Sequence, residues 1–470
     1  MNTSLTNRSH LLLPLAVALG VVGCGTSDTM PTSPTYSTAA QLSGLQAYVA
    51  IGNSLTAGYQ SGAWGNPDHV ATSYPNLIAR QVGITGFKQV SLTGTGLAMV
   101  DSDGDGVPDR GNMVVNFTAT GSPVLSYTAT DPANLTALAT GAGTTFDFSA
   151  PRNFGIPGIS LMHAAGAPLG QYAAGNPYAS FYTNAESAPK TQVQLAAEAG
   201  AGFITCWLGN NDVLGYVTSG GTGAITPAAL FQASLDGTLA ALGATPRLVV
   251  INLPSVTAIP YVTYFNPVLI GLLDQMGAPV HAVWAMDDAL GAAVPLYIDP
   301  GTNNYVLLPA ASAMAADPTL GASSANPLPD ALVLDAAELA AAQAAVADFN
   351  ARLAAGVAAL NTPQRELPAL LVDMHAYFNE VAAGGLHYGG QRFTTQFVSG
   401  GLFSLDGVHP TSLGNAAVAN EIIAAMNEGW GLNVAEVDLA EFIGVNIGLG
   451  SAGVPPLLPD FRQVVELFQH

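Results

Sequence analysis

The chain has 470 residues, of which 49% are hydrophobic and 9% charged, with 52 glycines and 31 prolines. That balance describes a globular, loop-rich protein and excludes a disordered one, which would be charged and poor in apolar residues. The formal net charge is −21, from 11 basic and 32 acidic residues spread along the chain, which argues against nucleic-acid binding.

The first residues, "MNTSLTNRSH", carry one arginine and no acid, and "LLLPLAVALGVV" follows. This apolar run is short for a bilayer span, and residues 1–23 read as a signal peptide. It ends in "VVGC", which resembles a bacterial lipobox with Cys24 as the lipidated residue. Gly25 is not the aspartate that favours inner-membrane retention, so the expected location is an exported lipoprotein of the outer membrane, held by its lipidated N-terminus. Residues 24–44 are rich in Ser, Thr and Pro and read as a flexible tether. If Cys24 is lipidated, Cys206 has no partner within the chain, and in the apolar run "GFITCWLG" it reads as an inert buried thiol.

From residue 45 the chain alternates strands and helices. Strands are expected at 46–51, 88–92, 202–208, 247–252 and 368–373, several of them continuous apolar runs of the kind buried on both faces of a parallel sheet. Helices are expected at 73–82, 187–199, 227–242, 336–360 and 412–427. The helix at 336–360 has the clearest pattern: Leu332, Leu339, Val346, Phe349, Leu353, Val357 and Leu360 recur at steps of seven, three and four. The alternation implies a layered α/β domain over 45–430. Segments 98–150 and 255–330 do not fit the alternation and read as insertions, and 431–470 reads as a C-terminal extension.

Within the first insertion, "DSDGDGVPDRGN" places Asp101, Asp103 and Asp105 at positions one, three and five of an EF-hand loop. Gly106 takes position six, the carbonyl of Val107 position seven and Asp109 position nine, while Asn112 replaces the final glutamate. The loop resembles short calcium loops of extracellular bacterial proteins, so a structural calcium is expected, with a solvated acidic turn as the alternative. In the second insertion, residues 257–276 are apolar and aromatic. They would form either a wall for an acyl chain or an ordinary buried helix.

In open parallel sheets, catalytic groups gather at the carboxyl ends of strands. Ser54 lies just past such an end, after Gly52 and Asn53 in "YVAIGNSLTAGY". It is not the G-x-S-x-G elbow, because Thr56 stands at the second glycine position. A serine nucleophile needs a base and donors for the oxyanion it creates. Near the end, "SLDGVHPTSLGN" offers Asp406 and His409 three residues apart on one turn, so Asp406 would orient the imidazole and leave its other nitrogen for Ser54. "LGNND" brings Asn211 past another strand, and "RNFGIPGISL" brings Asn153 and Gly158 to a turn before a helix. His375 follows a strand and reads as a neighbour of the site or a surface residue.

Gly52-Asn53-Ser54-Leu55, Asn153 to Gly158, Gly209-x-Asn211-Asp212 and Asp406-x-x-His409 occur in that order, and together they resemble the four blocks of the SGNH hydrolase (GDSL esterase/lipase) superfamily. The resemblance implies a flavodoxin-like three-layer α/β/α fold with a parallel sheet. It also implies Ser54 as nucleophile, His409 as base, Asp406 as its orienter, and the N–H groups of Ser54 and Gly158 with the Asn211 amide as oxyanion donors. Asn53 departs from the family's aspartate. The expected activity is carboxylic ester hydrolysis through an acyl-enzyme, on a lipid or small acyl ester, with no cofactor for catalysis. A carbohydrate O-deacetylase and a non-catalytic, calcium-stabilised surface-binding lipoprotein are the alternatives.

Overall fold

A computed structural model describes residues 36–98, 110–117, 123–140 and 147–444. Five parallel strands form the central sheet: β1 (Tyr48–Gly52), β2 (Arg152–Gly155), β3 (Phe203–Trp207), β4 (Arg247–Ile251) and β5 (Leu370–Val372). β1 and β3 are buried at every residue, as their unbroken apolar sequences require when helices cover both faces. The spatial order is β2-β1-β3-β4-β5, the flavodoxin-like order, with its reversal between β1 and β3. Ser54 follows β1 and Asn211 follows β3, so both lie at this switch point.

The expected strand at 88–92 is not one. That segment makes a single parallel bridge, Lys88 to Arg152, and the fifth strand is β2. The sequence "RNFG" hides it, being short and half polar, but its polar groups are used. Asn153 Nδ2 donates to the carbonyl of Thr56 at 2.7 Å, and Asn153 Oδ1 accepts from the N–H of Gly155 at 2.8 Å. The first bond stitches the edge strand to the turn that carries Ser54, and the second shapes the strand's own end.

The flanking helices fall into two groups that pack among themselves. Tyr74–Gln81 packs against Ser412–Trp430, and Ala228–Leu242 packs against Gln192–Glu198 and Ala336–Leu360. The last helix buries Leu339, Val346, Phe349, Leu353 and Val357 along one stripe. Phe349 stacks on Phe231 with ring centroids 3.8 Å apart. Asp335 caps this helix, accepting from the N–H groups of Ala337 and Glu338, while Glu338 accepts from the N–H of Asp335. Leu332, expected on the same stripe, lies in a short turn ahead of the helix. The helix expected at 187–199 begins only at Gln192, where Thr191 caps it. Cys206 is free, and burial pushes its thiol up to about 12.

The segment after β4 contributes two different things. Ser255, Val256, Ala258 and Ile259 line a pocket beside Ser54. Helix Phe265–Gln275 and the hairpin Ala282–Asp287/Ala292–Tyr297 instead bury a separate small core through Phe265, Leu269, Val283, Leu296 and Leu328. The earlier segment contributes the hairpin Arg110–Phe117/Pro123–Ala129. The acidic loop, from Asp101 to Asp109, lies outside the described residues, as do Cys24 and residues 445–470.

Residues 431–444 lie against the helix Ser412–Trp430. Asn420 takes both backbone groups of Val437, accepting from its N–H at 2.7 Å and donating to its carbonyl at 2.9 Å. Asn427 does the same for Val434 at 2.7 and 3.0 Å. Val434, Val437, Leu439 and Phe442 are buried in the main core. Replacing Asn420 by Ala leaves two buried backbone groups without partners, so Asn420→Ala should lower unfolding free energy by about 1–3 kcal/mol. A urea titration checks this, with an unshifted midpoint as the contrary result.

Candidate active site

β1 ends at Gly52, where an added Cβ would lie 2.0 Å from Thr56 Oγ1 and 2.8 Å from the carbonyl oxygen of Trp207. Only glycine admits that approach. Asn53 then caps the one-turn helix Ser54–Ala57, its Oδ1 accepting from the N–H of Leu55 at 3.0 Å. Ser54 is therefore the first helical residue, and the residue keeps 7% of its exposure at the end of the sheet.

The opposing turn, Ser404 to His409, is shaped by Gly407, whose φ is +71°. A Cβ there would lie 3.0 Å from the backbone nitrogen of Tyr261, which instead donates to the Gly407 carbonyl at 2.9 Å. Asp406 Oδ1 accepts from the backbone N–H of Val408 at 2.9 Å and of His409 at 2.8 Å. Asp406 Oδ2 meets His409 Nδ1 at 3.0 Å, and His409 Nε2 meets Ser54 Oγ at 2.8 Å. Asp406 and His409 on one turn thus join the distant Ser54 in one hydrogen-bonded line from carboxylate to hydroxyl.

Burial raises the proton affinity of the Asp406 carboxyl, but the adjacent imidazole and the backbone donors of His409 and Val408 outweigh it and bring the group down to about 2. The carboxylate is therefore ionised across the working range. It holds a proton on Nδ1, which leaves Nε2 as the acceptor for the Ser54 hydroxyl proton.

The three expected oxyanion donors lie on neighbouring elements. Among the described residues, no acceptor takes the N–H of Ser54 or of Gly158. Gly158 has φ +80° and lies on the loop after β2, tied to β1 by the bond from the N–H of Ile156 to the Gly52 carbonyl at 3.0 Å. Asn211 Nδ2 donates to the Ile159 carbonyl at 2.9 Å. That bond uses one amide hydrogen, fixes the side chain against the same loop and leaves the second hydrogen for a ligand. Asp212 secures the loop from the other side, its Oδ2 accepting from the N–H of Leu161 at 2.7 Å.

A pocket opens beside Ser54, His409 and Asn211. Its wall is apolar and includes Trp207, Leu253, Ile259, Val346, Phe378 and Phe403. Ile259 falls within the apolar segment 257–276, one of whose two expected roles is such a wall; the others come from separated segments that only the fold assembles. His375 does not line this pocket. Its backbone N–H donates to Asn252 Oδ1 at 2.9 Å. Among the described residues no group of three or more His, Cys, Asp or Glu is arranged to hold a metal ion, and no helix is long and apolar enough to cross a membrane.

A family model described as GDSL-like Lipase/Acylhydrolase matches residues 48–422, from β1 into the final long helix. Comparison with curated proteins gave no match, and comparison with solved structures gave none either.

The low-lying Asp406 carboxyl has a consequence for stability. A group held below its unfolded value contributes stability that is present above that value, about 4, and lost as pH falls toward about 2. Asp406→Asn should therefore be less stable than the parent by about 2 kcal/mol at neutral pH. The gap should close on acidification through that window. Chemical denaturation at a series of pH values checks it, and a gap independent of pH would contradict it.

Proposed function

The chain belongs to the GDSL-like lipase/acylhydrolase family, a family of esterase- and lipase-type acyl hydrolases, and from that premise we propose that it is a serine ester hydrolase working through an acyl-enzyme. The observation that carries the reading is the 2.8 Å contact between Ser54 Oγ and His409 Nε2 at the mouth of an apolar pocket. Ser54 Oγ attacks the ester carbonyl carbon as its proton passes to His409 Nε2. The resulting oxyanion is held by the N–H groups of Ser54 and Gly158 and by the free hydrogen of the Asn211 amide. Collapse breaks the bond to the alkoxy oxygen, which leaves with the proton from Nε2. Water then attacks the acyl-enzyme with Nε2 again as base, and the acid is released with Ser54 restored.

The substrate class follows from the pocket. A wall of Trp207, Leu253, Phe378 and Phe403 rewards each buried methylene of an acyl chain by about 0.8 kcal/mol. Medium or long acyl groups are therefore favoured over acetyl, which sets this reading apart from carbohydrate O-deacetylation. The proposal extends to the rest of the chain on sequence grounds. "VVGC" supports export and anchoring at Cys24, with the outer membrane as the site. The spacing of Asp101, Asp103, Asp105, Val107 and Asp109 supports a structural calcium. The calcium part is checked by calorimetric titration of the purified protein.

Two measurements test the enzymatic reading. Ser54→Ala should abolish hydrolysis of p-nitrophenyl esters, and Asn211→Ala should lower kcat by roughly a hundred- to a thousandfold, the cost of one oxyanion donor. In a chain-length series, kcat/KM should rise from acetyl toward medium-chain esters. A maximum at acetyl with a steep fall thereafter would favour the deacetylase instead.

A further inference from the structure

The residues just after the nucleophile touch all three members of the triad, although none of them belongs to a family block. The N–H of Tyr59 donates to the Ser54 carbonyl at 3.0 Å as the short helix ends. The Tyr59 ring lies against the His409 imidazole with centroids 4.6 Å apart. Gln60 and Ala63 then exchange both backbone hydrogen bonds at 3.1 Å, closing a two-residue turn. Its central residues, Ser61 and Gly62, have φ of +51° and +76°. Positive φ at both positions is the type I′ turn, and a buried serine in the first is a conformation L residues rarely adopt.

What holds this turn also aims it. The Tyr59 hydroxyl donates to the Gly62 carbonyl at 2.6 Å. The N–H of Ser61 donates to Ser404 Oγ at 2.9 Å, and the Ser61 carbonyl accepts from the N–H of Met113, on the hairpin of the first insertion, at 2.6 Å. The remaining donor, the N–H of Gly62, points at Asp406 Oδ2 at 2.9 Å, the same oxygen that faces His409 Nδ1. Without it, that oxygen would keep, among the described residues, only the imidazole as a hydrogen-bond partner, and the carboxylate would be held by backbone donors at Oδ1 alone.

On the proposed esterase reading, we propose that the Tyr59–Ala63 turn is a positioning element for the triad, acting through the Gly62 N–H on Asp406 and locked by the Tyr59 hydroxyl. The turn does not contact the reacting bond. It fixes the carboxylate, and through it the imidazole, so its loss falls on kcat and not on KM. The first insertion has a stated part in this, because Met113 clamps the strained turn from outside.

Tyr59→Phe removes the hydroxyl and keeps the ring against His409. It should lower kcat by up to about tenfold with KM unchanged, the scale of one hydrogen bond. The same change in an Asp406→Asn background should have almost no further effect, because the positioned charge is already gone. Equal losses in both backgrounds, a loss carried by KM, or no loss at all would overturn the proposal. Gly62→Ala is the second variant, since its Cβ would lie 3.2 Å from Met113 Cγ at a φ of +76° and displace the N–H. It should show the same dependence on Asp406. If the parent protein turns over no ester, the enzymatic reading fails by itself, and the turn is still tested by proton NMR. The low-field resonance of the His409 Nδ1 proton should move in Tyr59→Phe, and an unmoved resonance would overturn the proposal.

Discussion

The ionised carboxylate of Asp406 is the interaction on which the rest depends. A charge with 13% of its side-chain exposure left is costly unless its lone pairs are filled. Here the N–H groups of Val408, His409 and Gly62 fill three positions and the imidazole of His409 fills the fourth. Each donor comes with a structural requirement. Two need the tight turn that Gly407 permits, one needs the strained turn at Ser61–Gly62, and the last is the catalytic base. The site is therefore held from several directions by segments that would otherwise be independent. The residues after β4 hold the Gly407 carbonyl, and the hairpin of the first insertion holds Ser61.

The parallel sheet supplies the geometry on which this rests. Its order reverses between β1 and β3, so the loops after these strands diverge and leave a crevice at their carboxyl ends. Ser54 stands on one side, Asn211 on the other, and the loop after β2 closes the third. Side-chain amides knit these loops together. Asn153 binds the carbonyl of Thr56, Asn211 binds that of Ile159, and Asp212 binds the N–H of Leu161. Polar residues at strand ends here satisfy backbone groups that the crevice would leave exposed. Asn53 fits the same pattern as a cap on the helix of Ser54, though its Nδ2 is buried with no partner among the described residues. An aspartate at that position would keep the cap through one oxygen and remove the unpaired amide donor.

Much of this was legible in the sequence, and the reasons are specific. The stripe on 336–360 is written in its helical periodicity, and β1, β3 and β4 in nearly continuous apolar runs, because the helix buries one face and the strands are covered on both. The line from Asp406 to Ser54 was legible because hydrolytic chemistry restricts which residue types can stand at strand ends. β2 was not legible, since "RNFG" is short and half polar and becomes a strand by pairing in parallel with β1 from Val49 to Gly52. The segment 88–92 looked like the missing strand because Val90 and Leu92 alternate with polar residues, yet it makes only one bridge to the sheet edge. The pocket wall was hidden for another reason. Trp207, Val346, Phe378 and Phe403 each read as ordinary core residues, and only the fold turns one side of that core toward the serine. Tyr59 and Gly62 left a faint signal in "YQSGAW", a serine-glycine pair flanked by aromatics that reads as a plain turn until Asp406 is beside it.

The central claim is that Ser54 is a nucleophile activated by His409. Reaction of the purified protein with a fluorophosphonate, followed by peptide mass spectrometry, tests it most directly. The account predicts one label per chain, on Ser54, with labelling lost in His409→Ala although the serine is still present. Labelling at another residue, or labelling of Ser54 at an unchanged rate in His409→Ala, would contradict it.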